Sequence, residues 1–225
     1  MSTHTYVAFR ASDDLHQLTD GFIQRMREGA REPEPKVVER IMTTFIEEAL
    51  EAFFLAPASY SGLSGTQQRL VRLAADTIAA ATRVVVGRSA RKMDLAQNQA
   101  AARYMDEIRF HDAGDDCWYV GFPIDEALAA QGRSVAERCQ NGQFEGVRED
   151  LVRYLREVTD LSLEWYFKKP IDLLRFGPIL RKVAAVGVDT TRKASYGVIN
   201  KVIPKLDDQQ VLQSALYYRD MQVLH

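Results

Sequence analysis

The stretch PKVVERIMTTFIEEALEAFFL, residues 35–55, carries apolar side chains at Val38, Ile41, Met42, Phe45, Ile46, Ala49, Leu50, Phe53 and Phe54. Spacings of three and four put them on one wide stripe, with Glu39, Arg40, Glu47, Glu48 and Glu51 opposite, which is the pattern of a helix facing a core. Pro35 suits the first turn, where no backbone N–H is needed. Upstream, Ser12 stands as a cap before Leu15, Leu18, Phe22 and Met26, and Gly29 is a stop signal. Residues 12–55 therefore read as a helical hairpin.

The same period runs through most of the remaining chain. Residues 56–65 read as an ordered connection. A helix with a stripe of Leu70, Leu73, Ala74, Thr77, Ile78, Ala81, Val84 and Val85 comes next, and a more polar one spans 89–110 with Leu95, Ala102, Met105 and Ile108 on one side. The run from His111 to Asp116 is turn chemistry, and Cys117, Trp118, Tyr119 and Val120 favour a strand, for which Tyr6 to Phe9 is the candidate partner. Residues 123–130 form a short helix that Gly132 ends, and Ser134 with Glu137 then forms a capping box for another helix. Val147, Leu151, Leu155, Val158, Leu161 and Trp165 mark a long helix closed by Lys168, Lys169 and Pro170. A helix over 178–203 follows, and Asp207 or Asp208 caps the last one. No internal repeat is legible. The expected fold is all-α, a bundle of about seven or eight helices with a minor β ribbon at most. It forms one domain over residues 1–225, with any subdivision falling near 111–122.

Charge is unevenly spread. Between Trp165 and Leu206 nine basic residues face two acidic ones, a local +7 in a chain whose net charge is −2. On the helix over 178–203, Arg181, Lys182, Arg192 and Lys193 share one arc, while Ile179, Leu180, Val183, Ala184, Gly187, Ala194, Val198 and Val202 face the other way. Asp189 can pair with Lys193 four residues on. Lys168, Lys169 and this arc form the expected partner-binding surface, for an acidic protein partner. Gly187, Thr191 and Ser195 recur every four residues as a ridge of small side chains, which fits either a close internal contact or a dimer seam. A homodimer is the expected assembly. Nucleic acid is not expected at this net charge, and membrane contact is not expected from an arc of about +3.

Two cysteines, Cys117 and Cys139, form no thiol framework, no signal-peptide core lies in residues 1–14, and the longest apolar run near the C-terminus, 183–188, is far short of a span. A cytoplasmic protein is expected. Catalytic motifs are absent. His111, Asp112, Asp115 and Asp116 lack further histidines at ligand spacing and do not match a calcium loop. Glu47, Glu48 and Glu51 lack the Glu-x-x-His of a di-iron bundle, and the Gly-Leu-Ser-Gly of residues 62–65 lacks the lysine of a phosphate loop. No catalytic residue, metal or cofactor is assigned. The leading expectation is a non-enzymatic interaction or regulatory protein that self-associates. The alternatives are a binder of small molecules or lipids, with Phe53, Phe54, Met26, Met42, Met93 and Met105 beside an apolar pocket, and a peripheral membrane protein.

Overall fold

The computed structural model describes residues 4–225; Met1 to Thr3, the start of the stretch read as lacking a signal-peptide core, lie outside the described residues. Ser12 accepts from Leu15 N at 3.1 Å and opens α1 (Asp13–Arg27), which follows strand β1 (Thr5–Arg10). Helix α2 (Pro35–Leu50) runs into a π-helical turn (Glu51–Leu55) and the short α3 (Ala56–Tyr60). Ser64 and Gln67 form a capping box at the start of α4 (Gly65–Ala90), and Asp94 with Gln97 does the same for α5 (Leu95–Glu107), which leads to β2 (Arg109–Asp112). Then come β3 (Cys117–Ile124), α6 (Glu126–Gln140) and α7 (Val147–Leu163). A second π-helical turn (Glu164–Lys168) precedes α8 (Lys169–Leu173) and α9 (Pro178–Val202). A 3-10 turn, α10 (Asp208–Asp220) and β4 (Gln222–Leu224) end the chain.

This order is a tandem duplication, contrary to the expectation of no internal repeat. Helices α6, α9 and α10 begin 113 residues after α1, α4 and α5, and the two π turns are offset by the same amount. At that offset Glu51, Phe54 and Pro57 meet Glu164, Phe167 and Pro170, and the capping pair Asp94 and Gln97 meets Asp207 and Gln210. Gly62 and Arg175, also equivalent, both take the left-handed conformation, with φ of 62° and 48°.

The sheet shares the symmetry. Its order is β2-β3-β1-β4, all antiparallel. Strands β1 and β3 pair at the centre, with Thr5 opposite Ile124. Outside them, Arg109 faces Val120 just as Gln222 faces Val7, the same pair shifted by 113. An approximate two-fold axis thus passes through the sheet centre. Helices from both halves bury one continuous core that includes Phe22, Phe122, Leu151 and Val211.

The helical fold with a small sheet is as the periodicity predicts, with local corrections. Gly132 does not end a helix and Ser134 does not cap one, because α6 runs unbroken from its cap Asp125, which accepts from Leu128 N at 2.8 Å. Gly132 stands mid-helix where a Cβ would meet the Tyr154 ring at 2.8 Å. The proposed helix over 89–110 is the end of α4, a turn, α5 and part of β2. Lys168 and Lys169 do not end α7, since the chain winds on through the π turn and takes Pro170 into the first turn of α8. Ile179, placed on the inward side of α9, is exposed. Cys139 lies at the end of α6, and its burial pushes the thiol pKa up.

Candidate functional site

A π turn holds one residue more than the α-helix and leaves carbonyls without their usual donors. Each such turn here is closed by a tyrosine from the other half of the chain. Tyr217 donates to Ala52 O at 2.9 Å and Tyr218 to Phe53 O at 3.1 Å, while Tyr104 donates to Trp165 O. The turns thereby aim Phe53, Phe54, Tyr166 and Phe167 at a cavity of about 270 Å³ between the helices.

The cavity straddles the two-fold axis. Phe45 and Val158, Phe53 and Tyr166, Thr82 and Ser195, and Val86 and Ile199 are equivalent pairs, and both members of each line it. Of the three hydroxyls in this set, two are spent on backbone carbonyls one turn back, Thr82 donating to Ile78 O at 2.8 Å and Ser195 to Thr191 O at 2.9 Å. They present carbon to the interior, so the wall is overwhelmingly apolar. It reaches the surface at Leu173 on α8, which is 45% exposed.

One lobe breaks the symmetry. It lies in the first half, between α1, the start of α2 and β2, and is lined by His16, Thr19, Ile41, Arg109 and Trp118. Their counterparts Ala129, Gly132, Tyr154, Gln222 and, for Trp118, Thr5 do not line the cavity. Tyr154 is 2% exposed, packs on Gly132 and accepts from Gln222 Nε2 at 3.1 Å. The second half is plugged by an aromatic where the first half has an isoleucine.

The lobe is also where polar groups are left wanting. Arg109, with a side chain 7% exposed, reaches Asp20 at 2.8 Å and Asp106 at 3.3 Å through Nη2 and lies 4.8 Å over the Trp118 ring. Its Nε and Nη1 have no acceptor within the protein. His16 stacks on Trp118 with centroids 4.5 Å apart, and its buried Nδ1 has no partner. Burial lowers the His16 pKa and the Arg109 charge lowers it further, against Asp20 and Asp13, which raise it, so the net shift favours the neutral imidazole. Elsewhere on the wall the Tyr166 hydroxyl also lacks a partner, and burial pushes its pKa up. Among the described residues six buried side-chain polar atoms have no partner, and four of them belong to these three cavity-lining residues. Native interiors satisfy the large majority of such atoms, so this concentration marks the cavity.

The residues singled out from sequence fall elsewhere or inside. Lys168 pairs with Glu164 at 2.9 Å, Arg192 with Asp160 at 3.0 Å and Lys193 with Asp189 at 2.7 Å. Lys169 sits 2.9 Å above the Trp165 ring, Arg181 donates to Phe176 O, and Lys182 is exposed. Gly187, Thr191 and Ser195 are buried, and a Cβ on Gly187 would meet Val85 of α4 at 2.9 Å. The small-residue ridge is therefore packed from within the chain, by α4, which is the close internal contact of the two readings. His111 bonds Asp116 at 3.0 Å, and among the described residues no group of three or more candidate ligands is assembled for a metal. Met42, Met93 and Met105 line the cavity beside Phe53 and Phe54, while Met26 packs in the core without reaching it. Sequence patterns alone do not single out His16, Arg109 and Tyr166. The signal that could find them is the duplication itself, because they stand where the two halves differ.

No helix among the described residues is long and apolar enough to cross a membrane. Comparison with protein-family models, curated proteins and solved structures finds no match.

Proposed function

We propose that this protein binds an apolar small molecule in the interhelical cavity, as a carrier or sensor rather than an enzyme. The observation that carries this reading is the size and lining of the cavity. Its volume of about 270 Å³ exceeds the roughly 150 Å³ at which an apolar cavity already takes up benzene, and its wall is almost wholly apolar.

The test is titration with N-phenyl-1-naphthylamine, an uncharged fluorophore that brightens in apolar surroundings. Saturable enhancement with one molecule per chain is expected, because one cavity lies on the axis. Two molecules per chain, or enhancement that never saturates, contradicts the reading.

A second reading, an interaction protein that self-associates and uses its basic helices, is favoured by the exposure of Leu73 and Val84 on α4 and Ile179 and Val186 on α9. It has less support from the charges. Most of the basic residues proposed for a partner already have an acidic, aromatic or carbonyl neighbour, and exposed pairs of this kind contribute little energy. Replacing Arg181, Lys182, Arg192 and Lys193 together by glutamine should leave both the sedimentation coefficient and fluorophore binding unchanged. A loss of mass in solution would favour the second reading.

A further inference from the structure

The asymmetric lobe says what kind of apolar molecule fits. Resting on the proposed cavity function, we infer that the ligand carries an uncharged oxygen, an alcohol or ketone, at the end that enters the lobe between His16 and Arg109.

The charges close without the ligand. Arg109 faces Asp20 and Asp106, and Asp106 also pairs with Arg27. Two guanidinium groups thus balance two carboxylates. An anionic end at Arg109 would bring a third negative charge beside Asp20 and Asp106, which repel it. An uncharged oxygen meets no such opposition. It still satisfies what the site lacks, since Arg109 Nε and Nη1 are donors without an acceptor and such a bond to a charged donor is worth more than an ordinary one. The neutral imidazole adds a second capability. His16 Nδ1 has no partner, and with the proton on the other ring nitrogen it accepts from a hydroxyl. Asp20 and Asp13 act on this imidazole in the raising direction and His111 in the lowering one, and the net shift stays downward.

The comparison between halves supports the assignment. In the second half Gln222 replaces Arg109; its Nε2 donates to Tyr154, whose ring fills the space equivalent to the lobe, and only its Oε1 acceptor is left over, with no spare donor facing a cavity. The first half carries Ile41 at the Tyr154 position, and its cation keeps two donors to spare.

The experiment is displacement of N-phenyl-1-naphthylamine by decan-1-ol, decan-2-one and decanoate at pH 8, on the full chain. The alcohol and the ketone should displace at concentrations at least tenfold lower than decanoate. Arg109→Met should weaken both about tenfold while fluorophore affinity stays within twofold. Because that change leaves Asp20 without its cation and could prevent folding, His16→Phe serves as the second variant. It keeps a ring on Trp118, and it should weaken the alcohol severalfold and leave the ketone unchanged. Decanoate binding as tightly as the ketone, or alcohol affinity unchanged in His16→Phe, overturns the inference while fluorophore binding in the wild type leaves the cavity reading standing. A fluorophore that does not bind at all overturns both.

Discussion

The hydroxyl of Tyr217 donates to the backbone carbonyl of Ala52, 165 positions away in sequence. The pair has a mirror in Tyr104 and Trp165, each 113 residues from its counterpart. Both bonds cross from one half of the chain to the other and both close a π turn. Tyr217→Phe and Tyr104→Phe should each cost about 1–3 kcal/mol, the range for leaving a buried acceptor unpaired. Denaturant midpoints measure this, and unchanged midpoints would show that the π turns do not depend on these tyrosines.

The same crossing means that neither half has a complete set of partners. β1 pairs with β3, and each π turn needs the other half's tyrosine. A fragment of residues 1–114 should therefore be unfolded or form a symmetric dimer that repeats the two-fold of the intact chain. Sedimentation with circular dichroism decides it. A folded monomer contradicts the duplication account.

Much of this fold is legible in the sequence and the duplication is not, for a physical reason. Helices announce themselves through the period of their apolar residues, so α1, α2, α7 and α9 are read directly, and the last cap is narrowed to Asp207 or Asp208, of which Asp207 is the one. A repeat needs only equivalent environments, not equivalent residues. Ser12 and Asp125 both cap, Thr82 and Ser195 both bond back one turn, and Gly62 and Arg175 share a backbone conformation, yet no pair matches in identity. The lobe is harder still, because His16 and Arg109 come together only through strand pairing that brings Trp118 between α1 and β2. Sequence order holds no trace of that contact.

Gly132 illustrates how packing overrides a local signal. Glycine at mid-helix usually costs about 1 kcal/mol relative to alanine, so Gly132→Ala would stabilise an isolated helix. Here the added methyl meets the Tyr154 ring at 2.8 Å and the Gln222 amide. Overpacking of this sort costs about 1–3 kcal/mol, and the variant should melt earlier than wild type. Ser134→Ala should be close to neutral, because α6 is capped by Asp125. A larger loss from Ser134→Ala than from Gly132→Ala would reverse this picture.

Burial pushes the pKa of Tyr104, Tyr154, Tyr166, Tyr217 and Tyr218 upward, each mainly through desolvation of the phenolate. A raised folded-state pKa means that the folded form holds its protons more tightly. The resulting stability is fully present below the ordinary tyrosine pKa of 10.0 and is lost as pH rises beyond it. Unfolding should set in above about pH 10, with phenolate absorbance of these residues appearing together with loss of helix. Ionisation of all the tyrosines before any loss of helix would show that they are not buried.

The central claim is that the cavity on the axis receives an apolar ligand. Ala49 and Ser162 are equivalent positions on its two sides, and both line it. Replacing both by leucine fills the space with aliphatic carbon, each buried methylene contributing about 0.8 kcal/mol. The most direct measurement is titration of N-phenyl-1-naphthylamine into wild type and into the Ala49→Leu, Ser162→Leu variant, with the melting temperature recorded for each. The account predicts that the filled variant melts at or above the wild-type temperature and loses at least tenfold in affinity. A variant that melts as well as wild type and binds the fluorophore equally tightly contradicts it.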